Sequence, residues 1–143
     1  MTEVEQTSKG WQPYQLDQHA QSLVLDNRDK KDVLNESHKM RMTVAYGLER
    51  FWGEHLRLHG KEQLKADYWK SVWMALGEIL EPAGIDLPGR TMKSKKTEEI
   101  KAVAQALWGL ELHEQRVALM VLTQLCDALV WWTQRYKIKK PGD

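Results

Sequence analysis

The chain has 143 residues, 42% of them hydrophobic, with seven Trp, one Cys and a formal net charge of +1. That length favours one domain with a real core, and a single cysteine, Cys126, excludes an intramolecular disulfide and a cysteine-rich zinc module. The near-neutral total hides an asymmetry. Residues 1–87 carry 11 Lys/Arg against 14 Asp/Glu, a balance of −3, and residues 88–143 carry 10 against six, a balance of +4. A basic face is therefore compatible with a nearly neutral molecule.

The first residues, MTEVEQTSKGWQPYQ, lack a basic stretch followed by an apolar run. No signal peptide is expected, and the default compartment is the cytoplasm. Gly10 and Pro13 punctuate residues 1–26, which read as an irregular arm. Asp26 or Asn27 can cap a following helix, in which Val33, Met40, Val44, Leu48, Phe51 and Leu58 recur at helical spacing. Gly60 is its natural stop. Leu64, Tyr68, Val72, Trp73, Leu76, Ile79 and Leu80 predict a second helix, ended by Pro82.

Residues 82–96, PAGIDLPGRTMKSKK, read as a loop with two prolines, two glycines and a basic end. Thr97, Glu98 and Glu99 open a third helix, with carboxylates where the helix dipole favours them. Its core face is Ile100, Val103, Ala104 and Leu107, and Gly109 kinks or ends it. A fourth helix runs from about Leu112 to Tyr136 and is apolar around most of its circumference, as a central helix would be. Its most apolar run, Val117 to Trp132, is too short to span a bilayer. Residues 137–143 form a basic tail. The expected fold is all-α: one helical bundle of about four main helices over residues 1–143, with a basic loop and a basic C-terminal tail.

Four groups of residues could carry chemistry. His55 and His59 are four apart, the spacing at which one helix face grips a metal. Glu111, His113 or Glu114 could supply a third ligand. The H-E-x-x-H arrangement is absent, and His55 falls inside the stripe of Val44, Leu48, Phe51 and Leu58, so it reads as a packed core histidine. No metal and no cofactor are expected. Arg50 and His55 fit R-x4-H, a short motif of the HEPN ribonucleases, in which Arg would stabilise phosphate charge and His would move a proton. On one helix the two point about 140° apart, and Glu54 can pair with Arg50 instead. A HEPN-like ribonuclease is kept as an alternative, and a helical scaffold without nucleic-acid contact as a second.

The third group is basic. Arg90, Lys93, Lys95 and Lys96 lie in the loop, and Arg135, Lys137, Lys139 and Lys140 lie at the tail. Lysines on loops suit phosphate backbones, which demand charge and reach but no base register. Arg28, Lys30 and Lys31 are weaker candidates, because Asp29 and Asp32 interleave with them. The fourth group is the tryptophans. Trp131 and Trp132 differ by about 100° on a helix, so one of them should meet another segment or another subunit. Asp127, in the same apolar helix, reads as a buried carboxylate bonded to another helix.

The KSKKTEEI junction and the final helix, HEQRVALMVLTQLCDALVWWTQRYK, resemble the small helical subunit of CRISPR effector complexes of the Cascade type, with type I-D the closest form. The resemblance implies no catalytic residue. It implies copies stacked side by side along an assembly, in contact with other effector subunits, steadying crRNA, target DNA and the displaced strand. There base pairing reads the sequence, and the protein need supply only attraction to the backbone.

Overall fold

A helix forms where the sequence predicts an irregular arm. Pro13 is its first residue, a position at which a missing N–H costs nothing. Leu16, Ala20 and Val24 recur every four residues and all are buried. Interleaved Gln, Asp and His residues dilute this stripe, which is why the sequence reads as polar. The computed structural model describes residues 13–92 and 94–139, and among them all regular structure is helical. The helices are α1 (Pro13–Asn27), α2 (Glu36–Thr43), α3 (Leu48–Leu58), α4 (Gln63–Leu80), α5 (Thr97–Trp108) and α6 (Leu112–Tyr136). Short 3-10 turns occur at Val33–Asn35, Val44–Tyr46 and Glu81–Ala83.

Among the described residues six helices thus stand where four were expected. The helix expected after Asn27 is broken twice, at Asp32 (φ 61°) and at Gly47 (φ 97°). Asn27 does not cap it. That residue ends α1, where its buried amide donates to the Leu23 carbonyl at 2.7 Å. Apolar spacing continues across both breaks because each short piece turns a side to the same core.

The core is built around α6. Ala118, Val121, Leu122, Leu125, Cys126 and Leu129 form one buried stripe, covered by α1, α2 and α4. By length and composition alone α6 could cross a membrane, but in this fold the stripe faces protein. Each fully buried Leu in it contributes on the order of 1.5–3 kcal/mol. Burial holds the Cys126 thiol well above its ordinary range. Helix α1 runs parallel to α6, as two bonds in the same register show. Trp132 Nε1 donates to Asp17 Oδ1 at 2.9 Å, and Gln21 Nε2 donates to the Tyr136 hydroxyl at 2.7 Å. Helix α3 packs on α4 through Phe51, whose ring lies 4.9 Å from Trp69 and 6.2 Å from Trp73.

Several polar groups inside this core are paired, although the buried Trp52 Nε1 has no hydrogen-bond partner among the described residues. Ser37 of α2 bonds both Tyr68 of α4 and Thr133 of α6, each at 2.7 Å, so one hydroxyl cluster ties three helices. Glu36, only 1% exposed, accepts from Trp69 Nε1 at 3.0 Å, and Lys39 Nζ lies 3.0 Å from its other oxygen as a charge partner. Asp127 does bond another helix, through Arg41 of α2, but its side chain is exposed rather than buried. It lies beside the apolar stripe of α6, not within it.

Candidate nucleic-acid interface

The loop between α4 and α5 is anchored before it becomes basic. Ile85 and Leu87 are buried, and the Pro88 carbonyl accepts from Trp73 Nε1 at 2.8 Å. Gly89 then adopts φ 91° directly against two indoles. A Cβ there would stand 2.8 Å from Trp52 Nε1 and 3.2 Å from Trp73 Nε1. Any other residue would carry both left-handed strain, about 1–2 kcal/mol, and a clash.

Arg90 follows, and it does not project as a free loop cation. Its side chain crosses α4 at Gly77, where an added Cβ would overlap Arg90 Cδ and Nε. Its Nε is buried and has no hydrogen-bond partner among the described residues. Gly77 therefore serves as a notch, and Arg90 spends its length holding the loop down. Met92 also packs against the core. Lys93 lies outside the described residues.

Past this anchor the chain rises to α5. The Ser94 N–H donates to Glu99 Oε2 at 3.0 Å, and the Lys96 N–H lies 3.4 Å from Ser94 Oγ. These bonds set the start of α5 and fix the backbone that carries Lys95 and Lys96, both exposed. Lys95 comes to rest near Lys70 of α4. Partial burial first, and then Lys70, hold its ammonium below the ordinary lysine range, with Asp67 offsetting part of this. Lys70 is the residue that sequence reasoning missed. It stands alone within YWKSV, and only the path of the loop turns it into a neighbour of Lys95.

His55 records the same charge from inside. It is 5% exposed, and its Nδ1 lies 2.6 Å from the Trp52 carbonyl, which makes Nδ1 the protonated nitrogen. Burial is the main cause lowering its basicity; the Trp52 carbonyl opposes this, and Lys95, Lys70 and His59 lower it further. Among the described residues no three His, Cys, Asp or Glu side chains converge as a metal site. The R-x4-H pair is split between surface and interior: Arg50 is exposed, 5.6 Å over the Tyr46 ring, while His55 is enclosed. Glu54 pairs with Arg57 at 2.8 Å rather than with the expected Arg50.

The tail cations belong to a different part of the surface. Arg135 lies 3.6 Å over the ring of Trp131, which is 48% exposed. Trp132 turns the other way, bonding α1 and stacking on Tyr136 at 5.2 Å. One of the two tryptophans thus meets another segment, as their angular separation predicts. Lys137 donates to Asn35 Oδ1 at 2.6 Å, and Lys139 is exposed. Lys140 lies outside the described residues.

The helices and this surface define an all-helical protein with cations gathered at two places. No family model matches the chain, and neither curated proteins nor solved structures gave a significant match to it.

Proposed function

We propose that the protein is a non-enzymatic, nucleic-acid-binding small subunit of a CRISPR RNA-guided surveillance complex of the Cascade type. Its partners are crRNA, the strands of the target DNA and other effector subunits, with several copies side by side in the cytoplasm. One observation carries the nucleic-acid part of this reading. Lys95 stands within electrostatic reach of Lys70 on a braced loop, Lys96 follows it, and Asp67 offsets part of the charge felt at Lys95. Like charges held together on a surface are relieved by an anion. A nucleic-acid backbone supplies anions in series. The assignment to an RNA-guided complex rests on the resemblance of the KSKKTEEI junction and the last helix. In such a complex sequence discrimination belongs to base pairing, and weak, salt-sensitive backbone contact is the protein's whole task.

The test is charge reversal in the assembled complex. Lys93→Glu, Lys95→Glu and Lys96→Glu together should weaken target-DNA binding by about tenfold or more and lower the salt slope by about 2. In the Lys95→Glu, Lys96→Glu double variant helicity and thermal midpoint should be unchanged, since neither side chain makes a hydrogen bond or ion pair among the described residues. Unchanged binding with an unchanged salt slope overturns the proposal. The genes flanking this one provide an independent check, because a set of effector genes is expected there.

A further inference from the structure

The segment between α1 and α2 and the start of the tail enclose a concavity of about 210 Å³. Arg28, Lys30, Lys31 and Lys137 line it, together with Asp29 and Asp32. In the sequence these cations look diluted by their acidic neighbours, and Lys137 lies more than a hundred residues away. The fold brings all four to one place. Arg28 Nε donates to the Tyr136 carbonyl at 2.6 Å, Lys30 Nζ to Asn27 Oδ1 at 3.1 Å, and Lys137 Nζ to Asn35 Oδ1 at 2.6 Å.

Every one of these acceptors is neutral. Among the described residues none of the four cations reaches a carboxylate at ion-pairing distance, Asp29 and Asp32 included. Three cations are therefore positioned by single neutral bonds, and their charge is not cancelled by direct ion pairing. Lysine and arginine each have further N–H donors beyond the one used here. Asp32 holds φ 61°, outside the region most residues adopt, so the turn is held in a specific shape rather than left as a loose linker. Four cations against two carboxylates leave the hollow with a balance of +2.

We infer that this hollow is a phosphate-binding clasp, formed by the α1–α2 turn and Lys137, and that its ligand is a phosphodiester of a bound nucleic-acid strand. The choice of strand rests on the function proposed above. The chemistry of the clasp, a phosphate oxyanion held by Arg and Lys, does not. It adds a second backbone contact to the one at Lys70, Lys95 and Lys96.

The experiment is a titration of the isotopically labelled full chain, followed through its backbone amide resonances, with two probes: inorganic tripolyphosphate and a 15-nucleotide oligothymidine. Both should shift the amides of residues 28–32 and 137–139. Lys31→Glu, whose side chain makes no hydrogen bond or ion pair among the described residues, should weaken both probes at these amides by about three- to tenfold. Asp29→Asn with Asp32→Asn should tighten both, and Asn tolerates the backbone of residue 32. Shifts at the clasp with tripolyphosphate but none anywhere with the oligonucleotide would support the clasp and count against the nucleic-acid function. Oligonucleotide shifts confined to Lys70, Lys95 and Lys96 would do the reverse. Tripolyphosphate shifts that survive Lys31→Glu unchanged, or no shift at the clasp with either probe, overturn the inference.

Discussion

His55 is where the interior and the candidate surface meet. Its ring is enclosed, its Nδ1 is engaged with the Trp52 carbonyl, and burial holds its pKa below the ordinary 6.5. The folded state therefore prefers the neutral ring, and the unfolded chain binds the proton more readily. Stability from this group is complete above pH 6.5 and is lost as pH falls below it towards the folded value. Thermal midpoints measured from pH 8 to 5 should fall more steeply in the wild type than in His55→Gln, which can keep the bond to Trp52 without titrating. Parallel curves would remove His55 as an acid-sensitive group. This residue was readable in the sequence: its place in the stripe with Phe51 and Leu58 marked it as internal. Arg90 was not. Its type and its loop suggested a free cation, and only the bare backbone of Gly77 on α4 gives it a groove to lie in.

At the scale of the element, α5 differs from the others. Leu107 is its one buried residue, and Ile100 and Val103 are only partly covered. Its packing is against α3, and Trp108 at its end is 75% exposed beside a concavity of about 190 Å³ lined by Tyr46, Leu48, Leu107 and Leu119. Few buried contacts mean a low cost of local opening. Amide hydrogen exchange in α5 should be faster than in the buried turns of α6 by two orders of magnitude or more, about 3 kcal/mol of protection or greater. Equal protection would mean that α5 belongs to the same cooperative unit. The sequence made α5 and α6 legible, through Thr97–Glu99 at one start and the long apolar run of the other. It concealed α1, because a stripe as narrow as Leu16, Ala20 and Val24 is outvoted by polar neighbours. It also ran α2 and α3 together, since a break at Gly47 leaves the apolar spacing intact.

For the whole molecule, the all-helical character and the central place of α6 followed from periodicity and breadth of apolar character. Which cations stand together did not. Lys70 with Lys95, and Arg28 with Lys137, are neighbours only through the folded path, so a scan for basic runs misses Lys70 and does not join Arg28 to Lys137. The hydroxyl cluster of Ser37, Tyr68 and Thr133 holds that path together across three helices. Burial pushes the Tyr68 phenol up to about 12, so it remains a donor at any working pH. Ser37→Ala leaves two buried hydroxyls short of a partner and should cost about 1–3 kcal/mol. Urea denaturation should show this as a lower midpoint with an unchanged m-value. A loss of cooperativity instead would mean that the cluster defines the fold rather than stabilising it.

The pairing of α1 with α6 has a consequence for how the protein is made. Asp17 and Gln21 find their partners 115 residues further along the chain. Synthesis runs from the amino end, so α1 leaves the ribosome with the helix that covers Leu16, Ala20 and Val24 not yet translated. For most of synthesis that stripe lacks its main cover and has chiefly α4 to pack on. The core therefore closes late, when the last helix arrives, and shortened products that end before α6 should be cleared instead of accumulating.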